Sequence, residues 1–322
     1  MHVLVVGGAG YIGSHVAKAL VRREHTVTVY DNLSSGLRAN LLRESGFVHG
    51  EITDELKLRD LLSSEGIDAV VHLAAFKAAG ESMVAPEKYS RNNIAGTIAL
   101  LNAMAYAGTR RIVFSSSAAV YGEPEYLPVD ENHPTNPENY YGFTKLEIER
   151  LLSWYSKLKG IRYASLRYFN AAGYDPDGEI TGLEQAPANL LPVIMEVAVG
   201  SRERLKIFGD DYATDDGTGV RDYIHVSDLA EAHLLAMEYI GDKDEDITVN
   251  LGSEVGISVQ QIVDVAREIT GRQIPTEVVD RRPGDPARLV ASSRLARELL
   301  GWKPEHSDLE SLVATSWRAY CS

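Results

Sequence analysis

The chain has 322 residues, 44% of them hydrophobic and 24% charged, with a formal net charge of −14. That length supports one large domain or two with ample core, and the composition is that of an ordinary soluble globular protein. The acidic balance argues against nonspecific nucleic-acid binding, which needs a basic face, but leaves room for a local arginine cluster that holds an anionic substrate.

The first residues, 1–7, read as a strand and lack the basic start and long apolar run of a signal peptide. Residues 3–6 are expected to form a buried strand, followed by a helix near 11–23 and a second strand at 26–30. Apolar runs at 47–52, 69–73, 111–115 and 163–169 follow, each after a helix-length segment. Unbroken β-branched runs without polar alternation describe parallel strands buried on both faces. Their alternation with helices implies βαβ units. The pattern changes after Asn170, where residues 173–192 hold several glycines and prolines and read as a loop-rich insertion. A looser alternation runs through 204–208, 228–239, 247–251 and 259–270, and helices are expected around 293–300 and 309–319. The expected fold class is α/β, a Rossmann-type doubly wound parallel sheet with a smaller C-terminal α/β substrate domain. Residues 1–169 would form the first domain, with about 222–252 returning to it, and 170–322 mainly the second. No segment has the apolar length of a transmembrane helix, and the one cysteine, Cys321, can form no intrachain disulfide. Together these features lead us to expect a cytoplasmic protein.

Gly7, Gly10 and Gly13 form a G-x-x-G-x-x-G pattern between the first strand and the first helix. The first glycine permits a tight turn, the second lets backbone approach a pyrophosphate, and the third lets helix and strand pack closely. The helix N-terminus then offers free N–H groups to phosphates. Asp31 ends the second strand about twenty residues on, where an acid binds the adenosine ribose hydroxyls. An acid there repels a 2′-phosphate, so NAD is the expected dinucleotide. The run Ser115-Ser116-Ser117 closes the fifth strand, and Tyr141 and Lys145 begin the next helix. Residues four apart share a helix face. A lysine cation beside a tyrosine is expected to lower the phenol's pKa and make it a usable base.

At this point the chain resembles the extended short-chain dehydrogenase/reductases, which carry Ser/Thr, Tyr and Lys in this order. Within them it is most similar to the UDP-glucose 4-epimerases. The resemblance is carried by VVGGAGYIGSH at 5–15, YDNLSSG at 30–36, HLAAFKAAGES at 72–82, FSSSAAVYG at 114–122 and YYGFTK at 140–145. It continues through LRYFNAAG at 166–173, ANLLPVI at 188–194, IFGDDYATDDGTGVRDYIHVSDLA at 207–230 and RRPGDPARL at 281–289. It implies interconversion of UDP-glucose and UDP-galactose through a 4-keto sugar, with NAD taking and returning the C4 hydride. By resemblance, Tyr141 would be the acid/base, Lys145 would tune it, and Ser117 would bond the sugar 4-hydroxyl. Tyr11, Ile12, Asp31, Asn32, Glu51, Ile52, Phe76, Lys77, Asn93 and Phe169 would line the cofactor site beside the glycines. Lys77, Asn170, Asn189, Leu190, Phe208, Arg221, Arg282, Asp285 and Leu289 would contact the UDP-sugar. Guanidinium forks match diphosphate oxygens well. A homodimer through helices near 86–107 and 141–159 is also implied.

Three positions depart from the family's habit. Glu51 stands where Asp is usual near the adenine, and Ala119 replaces a frequent Thr after the serines. Leu289, at a position that gates the sugar pocket, is intermediate in bulk, which leaves N-acetylated sugars open. Other UDP-sugars, N-acetylated or pentose, and an inactive NAD-binding sensor are the alternatives to weigh. A nucleotide-sugar 4,6-dehydratase would need acid/base groups where Ala118 and Ala119 stand. The nine histidines show no metal-ligand spacing. His72 reads as a satisfied core histidine and His225 as structural.

Overall fold

The computed structural model describes every residue except Ala186, Pro283 and Ser322. Its first half runs β1 (His2–Val6), α1 (Tyr11–Arg22), β2 (Thr26–Asp31), β3 (Gly46–His49), α2 (Glu55–Ser64) and β4 (Ala69–His72). Then come α3 (Ala79–Ser82), α4 (Pro86–Tyr89), a π-helical turn at Ser90–Ala95, α5 (Gly96–Ala107), β5 (Arg111–Ser115), α6 (Tyr140–Lys159) and β6 (Arg162–Tyr168). The second half holds β7 (Asn170–Ala172), α7 (Leu190–Ala198), β8 (Leu205–Phe208), β9 (Val220–His225), α8 (Val226–Asp242) and β10 (Ile247–Leu251). It closes with β11 (Gly256–Ser258), α9 (Val259–Thr270), β12 (Thr276–Val279), β13 (Arg288–Leu289), α10 (Arg294–Leu300) and α11 (Leu309–Cys321).

Seven strands form one parallel sheet in the order β10-β6-β5-β4-β1-β2-β3. The strand order reverses at β1, so a cleft opens beyond the carboxyl ends of β1 and β4, the place where doubly wound sheets bind ligands. Alternation along β1 builds both faces. Val3 and Val5 pack with Val16, Leu20, Leu229 and Met237 of α1 and α8. Leu4 and Val6 pack with Leu58, Leu62, Leu100 and Met104 of α2 and α5. Residues 3–6 of β1 are all apolar because both faces are covered.

The segment that returns to this sheet is α8 with β10, and β10 pairs with β6 at the sheet edge. β9 stays outside it, in a smaller sheet ordered β11-β9-β13, with β7 also pairing β9. β8 and β12 form a separate parallel pair. α7, α9 and α11 enclose a second core around Ile194, Met195, Ile262 and Val313. The third strand is shorter than its apolar run suggested. It ends at His49; Gly50 N still donates to Asp31 O at 3.0 Å, and the Tyr30 hydroxyl packed against Gly50 donates to Glu51 O at 2.9 Å. Among the described residues, no helix is long and apolar enough to cross a membrane.

Candidate active site

β1 delivers the chain to Gly7, whose φ is +86°. A Cβ at Gly7 would lie 2.6 Å from Ala74 N, and one at Gly13 would lie 2.2 Å from Gly7 O. Both contacts are with backbone, so neither position has room for a side chain. A Cβ at Gly10 would meet only Gly7 O, at 3.3 Å. Gly10 caps α1 without a side-chain cap bond, which leaves the first-turn N–H groups of Tyr11, Ile12 and Gly13 facing out of the helix end. This turn is a phosphate cradle made of backbone. The Tyr11 side chain serves elsewhere, donating to Gly173 O at 2.5 Å, and Ile12 packs against the core.

Asp31 closes β2 and is buried. Its Oδ2 accepts from Ala9 N at 3.0 Å and its Oδ1 from Leu33 N at 2.7 Å. These two bonds lock the carboxylate beside the glycine turn and leave each oxygen a lone pair for ribose hydroxyls. Asn32 Nδ2 donates to Glu51 Oε2 at 3.0 Å, so the next two expected contacts lie side by side. Ile52 is buried against α5, where a Cβ at Gly96 would lie 2.5 Å from its Cγ2. Asn93 sits fully buried in the π-helical turn and exchanges hydrogen bonds with both backbone groups of Phe76, at 3.0 and 3.1 Å. Its amide also donates to Thr144 Oγ1 on α6. The residues present thus fit a dinucleotide with an unphosphorylated adenosine ribose.

The three residues expected to act on the sugar, Ser117, Tyr141 and Lys145, lie at the end of β5 and the start of α6. Ser117 adopts extended backbone there, its hydroxyl accepts from Ala119 N at 3.2 Å, and the Tyr141 phenol lies near enough for that hydroxyl to favour its ionised form. α6 reaches this edge because Gly142 has no side chain: a Cβ would lie 2.3 Å from Ala119 O. Asn139 caps the helix by accepting from Gly142 N, and Tyr141 N donates to Ser82 Oγ. Lys145 is buried and donates from Nζ to Ser115 O at 2.6 Å, with Nζ 5.8 Å from the centre of the Tyr141 ring.

The protonation states differ from the expectation that lysine lowers the phenol. Burial pushes Tyr141 up to about 12, opposed only by the Ser117 hydrogen bond. Burial lowers Lys145 to about 7, opposed by the neighbouring Glu149 carboxylate. Desolvation sets the direction for both groups, and the lysine spends its donor on a strand carbonyl.

Most of the residues expected on the substrate side lie in the second half of the chain. Arg221 on β9 ion-pairs with Asp285 and also donates to Val220 O at 2.8 Å. The Arg282 guanidinium lies over the Phe208 ring, 3.9 Å from its centre. Leu289, beside Arg221 in the β9–β13 register, packs with Phe169 against Ala118, Tyr121 and Leu146. Asn170 donates to Asp222 O at 2.9 Å. Asn189 caps α7, which begins at Leu190, and its side chain makes no cap bond. Lys77 is half-exposed and ion-pairs with Glu184 in the loop after β7.

Other members of the site carry no sequence pattern. Tyr212 packs under Arg281, 4.0 Å from its guanidinium carbon, and its buried hydroxyl has no hydrogen-bond partner among the described residues. Glu149 and Arg167 form a buried ion pair behind the serines. A carboxylate four residues after a catalytic lysine was the available signal for Glu149; Tyr212 sits in a polar loop with no periodicity. His72 is buried in β4 and lowered to about 3 by burial; its Nε2 bonds Thr97, but its Nδ1 has no partner among the described residues, so it is a core histidine only half satisfied. His225 caps α8 by accepting from Ser227 N.

Residues 3–252 match the family described as the NAD dependent epimerase/dehydratase family. A UDP-glucose 4-epimerase of Halalkalibacterium halodurans is 46% identical over 317 residues, covering 98% of this chain and 95% of that relative. The crystal structure of UDP-glucose 4-epimerase from Brucella ovis in complex with NAD has a TM-score of 0.97 at 44% identity, covering 99% of this chain and 98% of that one. A Bifidobacterium longum UDP-glucose 4-epimerase in complex with NAD+ and UDP has a TM-score of 0.93 at 36% identity, covering 100% and 98%. By sequence along nearly its whole length and by the path of its backbone, the chain belongs to the NAD dependent epimerase/dehydratase family.

Proposed function

We propose that the chain is an NAD-dependent isomerase that interconverts UDP-glucose and UDP-galactose by transient oxidation at sugar C4. The observation that carries this reading is the meeting of Ser117, Tyr141 and Lys145 beside a Cβ-free glycine turn at the switch point of the sheet. Relatives named UDP-glucose 4-epimerase, and solved ones that hold NAD and UDP, support the same ligands. Bound NAD supplies the acceptor and donor of the C4 hydride. Tyr141 Oη takes the proton of the sugar 4-hydroxyl, with Ser117 as bridge, and returns it once the 4-keto sugar presents its other face. Because the phenol stands near 12 in this structure, its ionisation needs positive charge close by. Lys145, with Nζ 5.8 Å from the ring centre, is the group of this chain that provides it. Arg221 and Arg282 would clamp the diphosphate and Phe208 the nucleoside, so residues 1–169 with α8 and β10 would serve the cofactor and the remainder of 170–322 the UDP-sugar.

Protein loaded with NAD should interconvert the two sugars without added reductant; failure to do so would remove the reading. Tyr141→Phe should lower kcat by roughly a thousandfold, the loss of general acid–base assistance, with the fold intact. We also propose a homodimer. Tyr106 of α5 and Phe143, Trp154 and Leu158 of α6 are exposed large apolar groups, and those of α6 fall at helical spacing. Sedimentation should give twice the chain mass, and Trp154→Glu with Leu158→Glu should give a monomer.

A further inference from the structure

Glu149 lies one helical turn beyond Lys145 on α6 and is buried. Its Oε1 accepts from Ser116 Oγ at 2.6 Å and from Arg167 Nε at 2.9 Å, and its Oε2 accepts from Arg167 Nη2 at 2.6 Å. Arg167 Nη1 donates to Tyr121 Oη at 2.9 Å, and that hydroxyl donates to Asn250 Oδ1 on β10 at 2.6 Å. One carboxylate therefore joins α6, β5 and β6, and through the arginine reaches β10. A buried ion pair contributes little net stability over apolar packing of the same volume, so its presence in the core asks for another reason.

The reason lies in what Ser116 stands between. Ser115 O receives Lys145 Nζ, and the Ser117 hydroxyl meets the Tyr141 phenol. Holding Ser116 fixes both neighbours against the helix that carries Tyr141 and Lys145. We propose that Glu149, clamped by Arg167, is a positioning residue that holds the Ser115–Ser117 strand end in register with Tyr141 and Lys145 and supplies the negative charge that faces Lys145. The groups around Lys145 leave that charge unmatched from any other side. α6 contributes Tyr141 and Glu149, β5 the Phe114 ring and Ser115 O, and β4 the neutral His72. Around Glu149 stand Ser116, just after β5, and Arg167 and Tyr163 of β6. Burial lowers Lys145 to about 7 and Glu149 opposes this, in agreement with the geometry.

The inference rests on the proposed 4-epimerisation for its kinetic arm, and a second arm is independent of turnover. In full-length, NAD-loaded protein, the 15N shift of the Lys145 side chain is titrated in wild type, Glu149→Gln, and Glu149→Gln with Arg167→Gln. Removing a facing negative charge disfavours the ammonium, so the midpoint should fall by about one pH unit in the single variant and by less in the double variant, which also loses the Arg167 cation. The single variant strands Arg167 and should be much less stable, whereas the double variant removes both charges and should fold well. In the kinetic arm kcat should fall about a hundredfold in the double variant with KM within about threefold, the pattern of lost transition-state positioning. Its basic limb should move to lower pH with the Lys145 midpoint. Ser116→Ala should lower kcat about tenfold with no shift of that midpoint, because only the strand tie is lost. A folded double variant with a wild-type midpoint and wild-type kcat would overturn the proposal. Wild-type protein inactive on both UDP-sugars would instead refute the 4-epimerase reading and leave the Lys145 titration as the test of Glu149.

Discussion

The two sides of the cleft are made of different material. At the β1–α1 turn the site is backbone, with Gly7 and Gly13 packed so closely that no Cβ fits and Asp31 pinned by two main-chain N–H groups. At β9 and the 281–289 segment the site is side chains that already hold one another, Arg221 on Asp285 and Arg282 on Phe208. A ligand entering the first side finds its donors in place, while one entering the second must draw Arg221 away from a partner. Preorganised sites hold tightly, and sites that pay reorganisation hold less tightly. The contrast suits a catalyst that keeps a cofactor whose oxidation state is restored each cycle and exchanges its sugar nucleotide.

Acid should loosen the large sheet more than the small one. His15, His72 and His233, all packed on the large sheet, are lowered by burial to about 4, 3 and 4. Their folded pKa values lie below the unfolded value near 6.5, so the unfolded chain binds more protons as pH falls below 6.5. Each such histidine removes stability at about 1.4 kcal/mol per pH unit in that window, the linkage slope for one proton. Asp222, where β9, the Gly252–Glu254 turn and Ala291 converge, is raised to about 6 by burial. Its folded form keeps a proton the unfolded chain loses, so its contribution grows as pH falls from about 6 toward 4 and offsets that of His225 on the same strand, which burial lowers to about 3. Hydrogen exchange between pH 7 and 4.5 should therefore show β1, β4 and α8 loosening before β9 and β11; the reverse order would break the contrast.

Substitutions should separate the sides with smaller effects. Gly13→Ala places a methyl 2.2 Å from Gly7 O and should abolish NAD retention through purification while UDP still binds the folded fraction. Retention at the wild-type level would mean the turn is not rigid. Arg221→Met should raise the Kd of UDP about fiftyfold, the loss of charge-assisted hydrogen bonds, with NAD content unchanged. Arg282→Ala should raise it about fivefold, since a partly exposed guanidinium over a ring contributes less. Calorimetric titration with UDP checks both, and equal effects would show that the clamp is not centred on Arg221.

The fold of the first half was legible because the runs 3–6, 69–71 and 112–114 are buried on both faces and are continuously apolar. The glycine turn was legible because backbone contact leaves no residue choice. β7, β11 and β13 have three residues or fewer, and their pairing with β9 is set by tertiary contacts that leave no periodicity. The substrate-side residues came through family resemblance, since an arginine on a short strand is no different in sequence from a surface one. The tyrosine–lysine spacing gave the right neighbours and the wrong electrostatics. Burial of both groups, and the carbonyl of Ser115 that captures Lys145, belong to the packed structure alone. Glu149 and Arg167 are 18 residues apart and read separately as helix and strand charges.

The central claim is that Tyr141 moves only the hydroxyl proton while the hydrogen on C4 leaves and returns without meeting water. UDP-glucose carrying deuterium at sugar C4, incubated with NAD-loaded protein in ordinary water, tests this most directly. The account predicts UDP-galactose with the deuterium retained at C4 and no build-up of reduced cofactor. UDP-galactose carrying protium from solvent at C4 would contradict it.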